Sequence, residues 1–149
     1  MITKLKSFLE TFLPDNATGE NPQTLLSLAS AALMVEVLIS DYERKPEEEE
    51  TLLSLLKKSF SLDQTTAQAL FERAKQAQHE ATDYFRFTSQ INELCSPEEK
   101  VSLVENLWRV AYADGELHHY EEHVIRRIAD LIYVSHTDFI TAKLRVVEA

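Results

Sequence analysis

Cysteine, glycine and proline are scarce in this chain: 149 residues contain one Cys, two Gly and four Pro. A single thiol, Cys95, excludes an intramolecular disulfide and any Cys-x-x-Cys metal knuckle. It reads as a small buried side chain near a helix end, in keeping with a reducing compartment. With so few helix breakers, the remainder is rich in Leu, Ala, Glu, Gln, Lys and Arg, and the composition is that of an all-α protein. Basic charge is also short. Fifteen Lys and Arg stand against twenty-five Asp and Glu, a formal charge of -10. Such a balance repels phosphate backbones and offers no basic stripe, so no nucleic-acid partner is expected. No run approaches the roughly 18 apolar residues of a membrane span. The opening "MITKLKSFLETFLPDN" is broken by Lys4, Lys6 and Glu10 and lacks the continuous apolar core of a signal peptide. The expected location is the cytoplasm. There is no Gly-rich phosphate loop, and no Ser or Cys sits in a nucleophile motif.

What is present is helical periodicity over a length suited to one domain, enough to bury roughly two-thirds of the unfolded chain's surface. Ile2, Leu5, Phe8, Leu9, Phe12 and Leu13 recur at helical spacing, predicting a short amphipathic helix over residues 1–13 that packs on the domain; contact with a membrane surface is the weaker reading. Residues 14–21 form a polar linker, and residues 22–149 the main domain. Asn21 caps and Pro22 opens "QTLLSLASAALMVEVLIS", apolar on every side and therefore a central buried helix. Pro46 opens a second helix, whose run Glu47 to Glu50 reads as a solvated first turn favoured by the helix dipole. "SLDQTTAQALFERAKQAQHE" and "TDYFRFTSQINELC" give two more. Ser96, Pro97 and Glu99 spell a capping box, and Asp114 with Gly115 stops the helix that follows. A last pair covers "HYEEHVIRRIADLIY" and "HTDFITAKLRVVE", the second capped by Ser135. The total is about seven helices plus the N-terminal one, in a single bundle.

The chain also repeats itself. A shift of 73 residues lays "MVEVLISDYERKPEEEETLLSLL" on "LWRVAYADGELHHYEEHVIRRIA", pairing Val37 with Val110, Glu48 with Glu121, Glu49 with Glu122, Leu52 with Ile125 and Leu55 with Ile128. Each copy is a helical hairpin whose first helix ends in Asp-x-Glu, with a further Glu in the first turn of the second. Asp41, Glu43 and Glu48 mark one turn, and Asp114, Glu116 and Glu121 the other. Two readings of these carboxylates stay open. As caps and turn residues they satisfy free backbone N–H groups and the helix dipole. As a cluster of hard oxygen ligands they suit Ca²⁺, Mg²⁺ or Mn²⁺, with Zn²⁺ less suited. A wheel drawn from Leu117 puts Glu121 in the same sector as Val124, Ile125, Ile128, Leu131 and Ile132, so Glu121 should face inward.

"YADGELHHYEEHVIRRIADLI" and the wider pattern over roughly residues 22–148 resemble the TerB-like proteins, a bacterial family named for tellurite resistance, and also the TerB-like domain of a membrane-anchored DnaJ-type co-chaperone. The first copy departs from the pattern in having Tyr42 where a glycine is usual. The resemblance implies a non-enzymatic binding domain in a stress or tellurite-resistance system, with the acidic hairpin residues as metal ligands. The alternative it implies is a metal-independent module that docks another protein, as in the co-chaperone. A homo-oligomer fits either.

"HYEEH", residues 119–123, matches the inverted zinc-protease motif His-x-x-Glu-His. The wheel places His119 and His123 opposite the apolar sector, facing solvent, and only 26 residues follow. Catalysis by His119, Glu122 and His123 is therefore not expected, and the histidine pair reads at most as an adventitious Zn²⁺ or Ni²⁺ site. An EF-hand is excluded because Gly115 directly follows Asp114. Trp108 and Tyr112 read as packing, His79 and His136 as solvent-facing or capping residues.

Overall fold

The computed structural model describes residues 22–40, 46–81, 85–113 and 115–148. The predicted N-terminal helix and linker, and the predicted cap Asn21, lie outside the described residues. Among the described residues there are seven α-helices and no strand: α1 Pro22–Ile39, α2 Pro46–Phe60, α3 Gln64–Glu80, α4 Phe85–Leu94, α5 Pro97–Ala111, α6 His119–Leu131 and α7 His136–Val147. This is the expected all-α bundle. None of these helices is long and apolar enough to cross a membrane.

The all-round apolar character of α1 is spent on burial. Ala29, Ala31, Ala32, Leu33, Met34, Val35, Val37 and Leu38 are each at most 1% exposed, so α1 is the axis of the domain. It packs against α2, α3, α4, α5 and α6, while α7 lies on α5. Trp108 of α5 is fully buried, with its ring centroid 5.2 Å from that of Phe139 on α7. Lys143 of α7 sits 5.5 Å from the same ring's centroid. At the solvent edge Glu105 ties the same two helices, accepting from Arg109 at 3.2 Å and Arg145 at 2.9 Å. Tyr112, by contrast, is only half-buried at the end of α5.

Local signals set the helix boundaries. Ser96 Oγ accepts from the Glu99 N–H at 3.2 Å and the Glu99 carboxylate accepts from the Ser96 N–H at 2.8 Å, the reciprocal box the sequence predicts. Asp63 caps α3 through Thr66 N–H at 2.8 Å, and Ser135 caps α7 through Asp138 N–H at 3.1 Å. Replacing Ser96 by Ala leaves the Glu99 N–H without its hydroxyl acceptor, while the Glu99 carboxylate can still accept from the N–H of residue 96, and should lower the unfolding free energy by about 1 kcal/mol in urea titrations. An unchanged midpoint would show that α5 does not depend on its cap.

Two helix ends carry no sequence signal. α2 and α6 close with Ser61 and Tyr133 in the left-handed region, at φ 55 and 62. The next residue's N–H then bonds back five positions, Leu62 to Lys57 O at 3.0 Å and Val134 to Ala129 O at 2.9 Å. This is the usual closure for a helix whose C′ residue is glycine, made here without one.

Candidate site at the hairpin turns

The internal repeat is structural. α2 begins at Pro46 and α6 at His119, the same 73-residue offset read from the sequence. Burial matches pair by pair: Val37 and Val110, Leu52 and Ile125, and Leu55 and Ile128 are all core residues, and Glu49 and Glu122 are both half-buried. Most telling are Glu48 and Glu121. Both carboxylates are 0% exposed in the first turns of α2 and α6. A buried carboxylate carries a desolvation cost of the order of several kcal/mol unless charge or hydrogen bonds compensate it, so two at equivalent positions are not accidental surface acids.

The inward orientation of Glu121 agrees with the wheel. The same burial of Glu48 corrects the reading of Glu47 to Glu50 as a solvated turn: Glu47 and Glu50 are exposed, whereas Glu48 enters the interior. Position in the first turn, rather than the charge of the run, decides which acid turns inward. Leu131 also departs from its predicted sector. Val124 is half-buried and Ile125, Ile128 and Ile132 are buried, but Leu131 is 37% exposed because it falls at the edge of the apolar stripe on the last turn.

Of the other predicted ligands, Glu116 is exposed, and Asp41, Glu43 and Asp114 lie outside the described residues. Among the described residues no three His, Cys, Asp or Glu side chains come together as a metal-holding group. The donor types at both turns are carboxylates, which fit Ca²⁺, Mg²⁺ or Mn²⁺ in preference to Zn²⁺. In the second turn Gly115 adopts φ +86, and its N–H bonds to Tyr112 O at 3.0 Å. The space around it is open, with nothing within 4 Å of an added Cβ, so its requirement is conformational. A Gly115→Ala substitution should therefore lower stability by about 1 kcal/mol through backbone strain alone. Thermal melts check this, and an unchanged midpoint would mean that the turn relaxes freely.

His119 and His123 are exposed, as expected. Glu122, the acid of the His-x-x-Glu-His string, pairs with Lys143 of α7 at 3.2 Å, which anchors α6 to α7. His79 and His136 are exposed too. Cys95 is half-buried instead of fully enclosed. Burial pushes its thiol above the usual range and the Glu99 charge adds to this, with Lys100 opposing.

Sequence reasoning missed Glu36 of α1, whose side-chain oxygen accepts from the Gln78 amide of α3 at 2.9 Å. Burial pushes its carboxyl above the usual range, with the Gln78 bond opposing. The pair lies beside an open recess of about 760 Å³ between α1 and α3, with Arg73 and Lys75 on its wall. Nothing in the local pattern marks this site, because the partners are 42 residues apart.

The architecture and the paired buried acids define a small all-α domain built on two acidic helical hairpins. Residues 27–144 match the family model described as tellurite resistance protein TerB, and the chain belongs to the TerB family. No curated protein and no solved structure matches it.

Proposed function

We propose that this TerB-family domain is a non-enzymatic binding protein whose two hairpin turns are organised by a divalent cation of the Ca²⁺, Mg²⁺ or Mn²⁺ type, working in a cytoplasmic stress or tellurite-resistance system. The observation that carries the reading is the complete burial of Glu48 and Glu121 at equivalent first-turn positions. Each follows an Asp-x-Glu element in the sequence, Asp41 to Glu43 and Asp114 to Glu116. Acids grouped in this way repel one another, and a hard cation offsets both that repulsion and the desolvation. When bound, the cation would lock each turn and fix the angle between its helices. The partner in this reading is another protein.

The test is a set of thermal melts of untagged protein in EDTA and then in Ca²⁺, Mg²⁺, Mn²⁺ and Zn²⁺, for wild type and for an Asp114→Asn, Glu116→Gln double variant. One hard cation should raise the wild-type midpoint and raise the variant's by clearly less, since only the first hairpin keeps its ligands. If none does, the carboxylates act as caps and the metal part of the proposal fails.

A metal-independent interaction module is the second reading. It is favoured by large apolar side chains left in solvent, among them Tyr120 at 66% and Tyr133 at 81% exposure, at the two ends of α6. Aromatic side chains in such positions are common anchors for protein partners.

A further inference from the structure

The chain is acidic overall, yet one helix presents the opposite sign to solvent. His119, His123, Arg126 and Arg127 of α6 are all exposed, and helical spacing puts them on one face, which Asp130 closes at the C-terminal end. Tyr120 and Leu131 border that face and are exposed as well. Just past the helix stands Tyr133, with Lys100 Nζ of α5 5.9 Å from its ring centroid.

The first hairpin carries a matching pattern. On α2 the exposed face runs from Glu47 and Glu50 through Ser54 to Lys58. The 73-residue offset of the repeat lays Glu50 on His123, Ser54 on Arg127 and Lys57 on Asp130. Equivalent faces of the two hairpins thus run from acid to base on α2 and from base to acid on α6. Among the described residues no ion pair uses Glu47, Glu50, Arg126, Arg127 or Asp130, so the charges of both faces are available to a contact between molecules.

We propose that α6 of one copy docks on α2 of a second copy of this chain. Charge complementarity along the helices selects that occupant. A uniformly acidic segment would set a like charge against Asp130, whereas α2 of a second copy brings Lys57 and Lys58 to that end and Glu47 and Glu50 to the arginines and histidines. Exposed ion pairs alone contribute little, and Tyr120 and Tyr133 add the aromatic area that anchors a protein contact. The inference builds on the interaction-module reading by naming the partner, and it requires no cation at the hairpin turns. Because the two faces are unlike, the contact is head-to-tail, and each docked pair keeps one free face of each kind.

Sedimentation velocity of the full chain in EDTA, from low to high micromolar concentration, tests this apart from any metal effect. The weight-average sedimentation coefficient of wild type should rise with concentration. An Arg126→Glu, Arg127→Glu variant reverses the α6 face, and a Glu47→Lys, Glu50→Lys variant reverses the α2 face. Each should weaken association by about tenfold or more, since like charges then meet across the contact. The first variant raises the chain's net negative charge and the second lowers it, so a loss in both does not come from overall repulsion. All four positions are exposed, and circular dichroism verifies the fold. An equimolar mixture of the two variants should recover association, because the new glutamates on α6 of one meet the new lysines on α2 of the other. A wild type that sediments as a monomer throughout would overturn the proposal and leave the interaction-module reading to be tested with other proteins. Variants that associate as wild type does, or a mixture that stays dissociated, would also overturn it.

Discussion

Trp108→Ala should be the most damaging single substitution in the domain. The indole is fully buried, its ring tilted against that of Phe139 with centroids 5.2 Å apart, and Lys143 lies over it. Removing it opens a cavity at the joint between α5 and α7, which carries the second hairpin's first helix. Large-to-small changes of this kind cost about 3–5 kcal/mol, a substantial part of the roughly 5–15 kcal/mol that holds such a domain folded. In a domain of this size the melting midpoint should fall by about 10 °C. Trp108→Phe should behave differently. Among the described residues the Trp108 Nε1 hydrogen has no acceptor, so phenylalanine loses no hydrogen bond, keeps the ring contact with Phe139, and should cost no more than about 1.5 kcal/mol. Urea titrations of both variants measure the contrast. A cost for Trp108→Ala below that of Trp108→Phe would mean that the α5–α7 joint is not part of the cooperative core.

The second large effect belongs to the buried acids. In a cation concentration about a hundred times its dissociation constant, each occupied site adds roughly 2.7 kcal/mol, about 8 °C in the midpoint of a domain this size. Glu48→Gln combined with Glu121→Gln keeps the shape of both side chains and removes both charges. The variant should lose that cation-dependent increment. Measured in EDTA, the gap between wild type and variant should close to a fraction of its value in cation, because the binding contribution is then absent from wild type. The opposite pattern, a large deficit of the variant that is the same with and without cation, would assign Glu48 and Glu121 to capping alone.

How much of this was legible in the sequence depends on how local each feature is. The apolar circumference of α1, the Ser96 box and the Pro46 helix start are written in adjacent residues, and each stands where it was read. Periodicity alone sufficed for the inward turn of Glu121. It was insufficient for Glu48, because a run of four glutamates hides which one occupies the inward position, and only alignment with the second hairpin separates them. Helix ends at Ser61 and Tyr133 were unreadable, since left-handed closures are normally signalled by glycine and none is present at either. The Glu122–Lys143 and Glu36–Gln78 pairs join residues 21 and 42 positions apart, which no window of sequence brings together.

These pieces give the hairpin turns a common design: a buried first-turn glutamate, an Asp-x-Glu element ahead of it, and a ladder of core residues behind. The most direct test is isothermal titration calorimetry of the metal-free full chain with the cation that raises its midpoint. The account predicts one bound cation per hairpin, with Glu48→Gln and Glu121→Gln each abolishing one binding event and leaving the other. Absence of binding heat for Ca²⁺, Mg²⁺ and Mn²⁺ at millimolar concentrations, across temperatures that rule out a vanishing enthalpy, would contradict it.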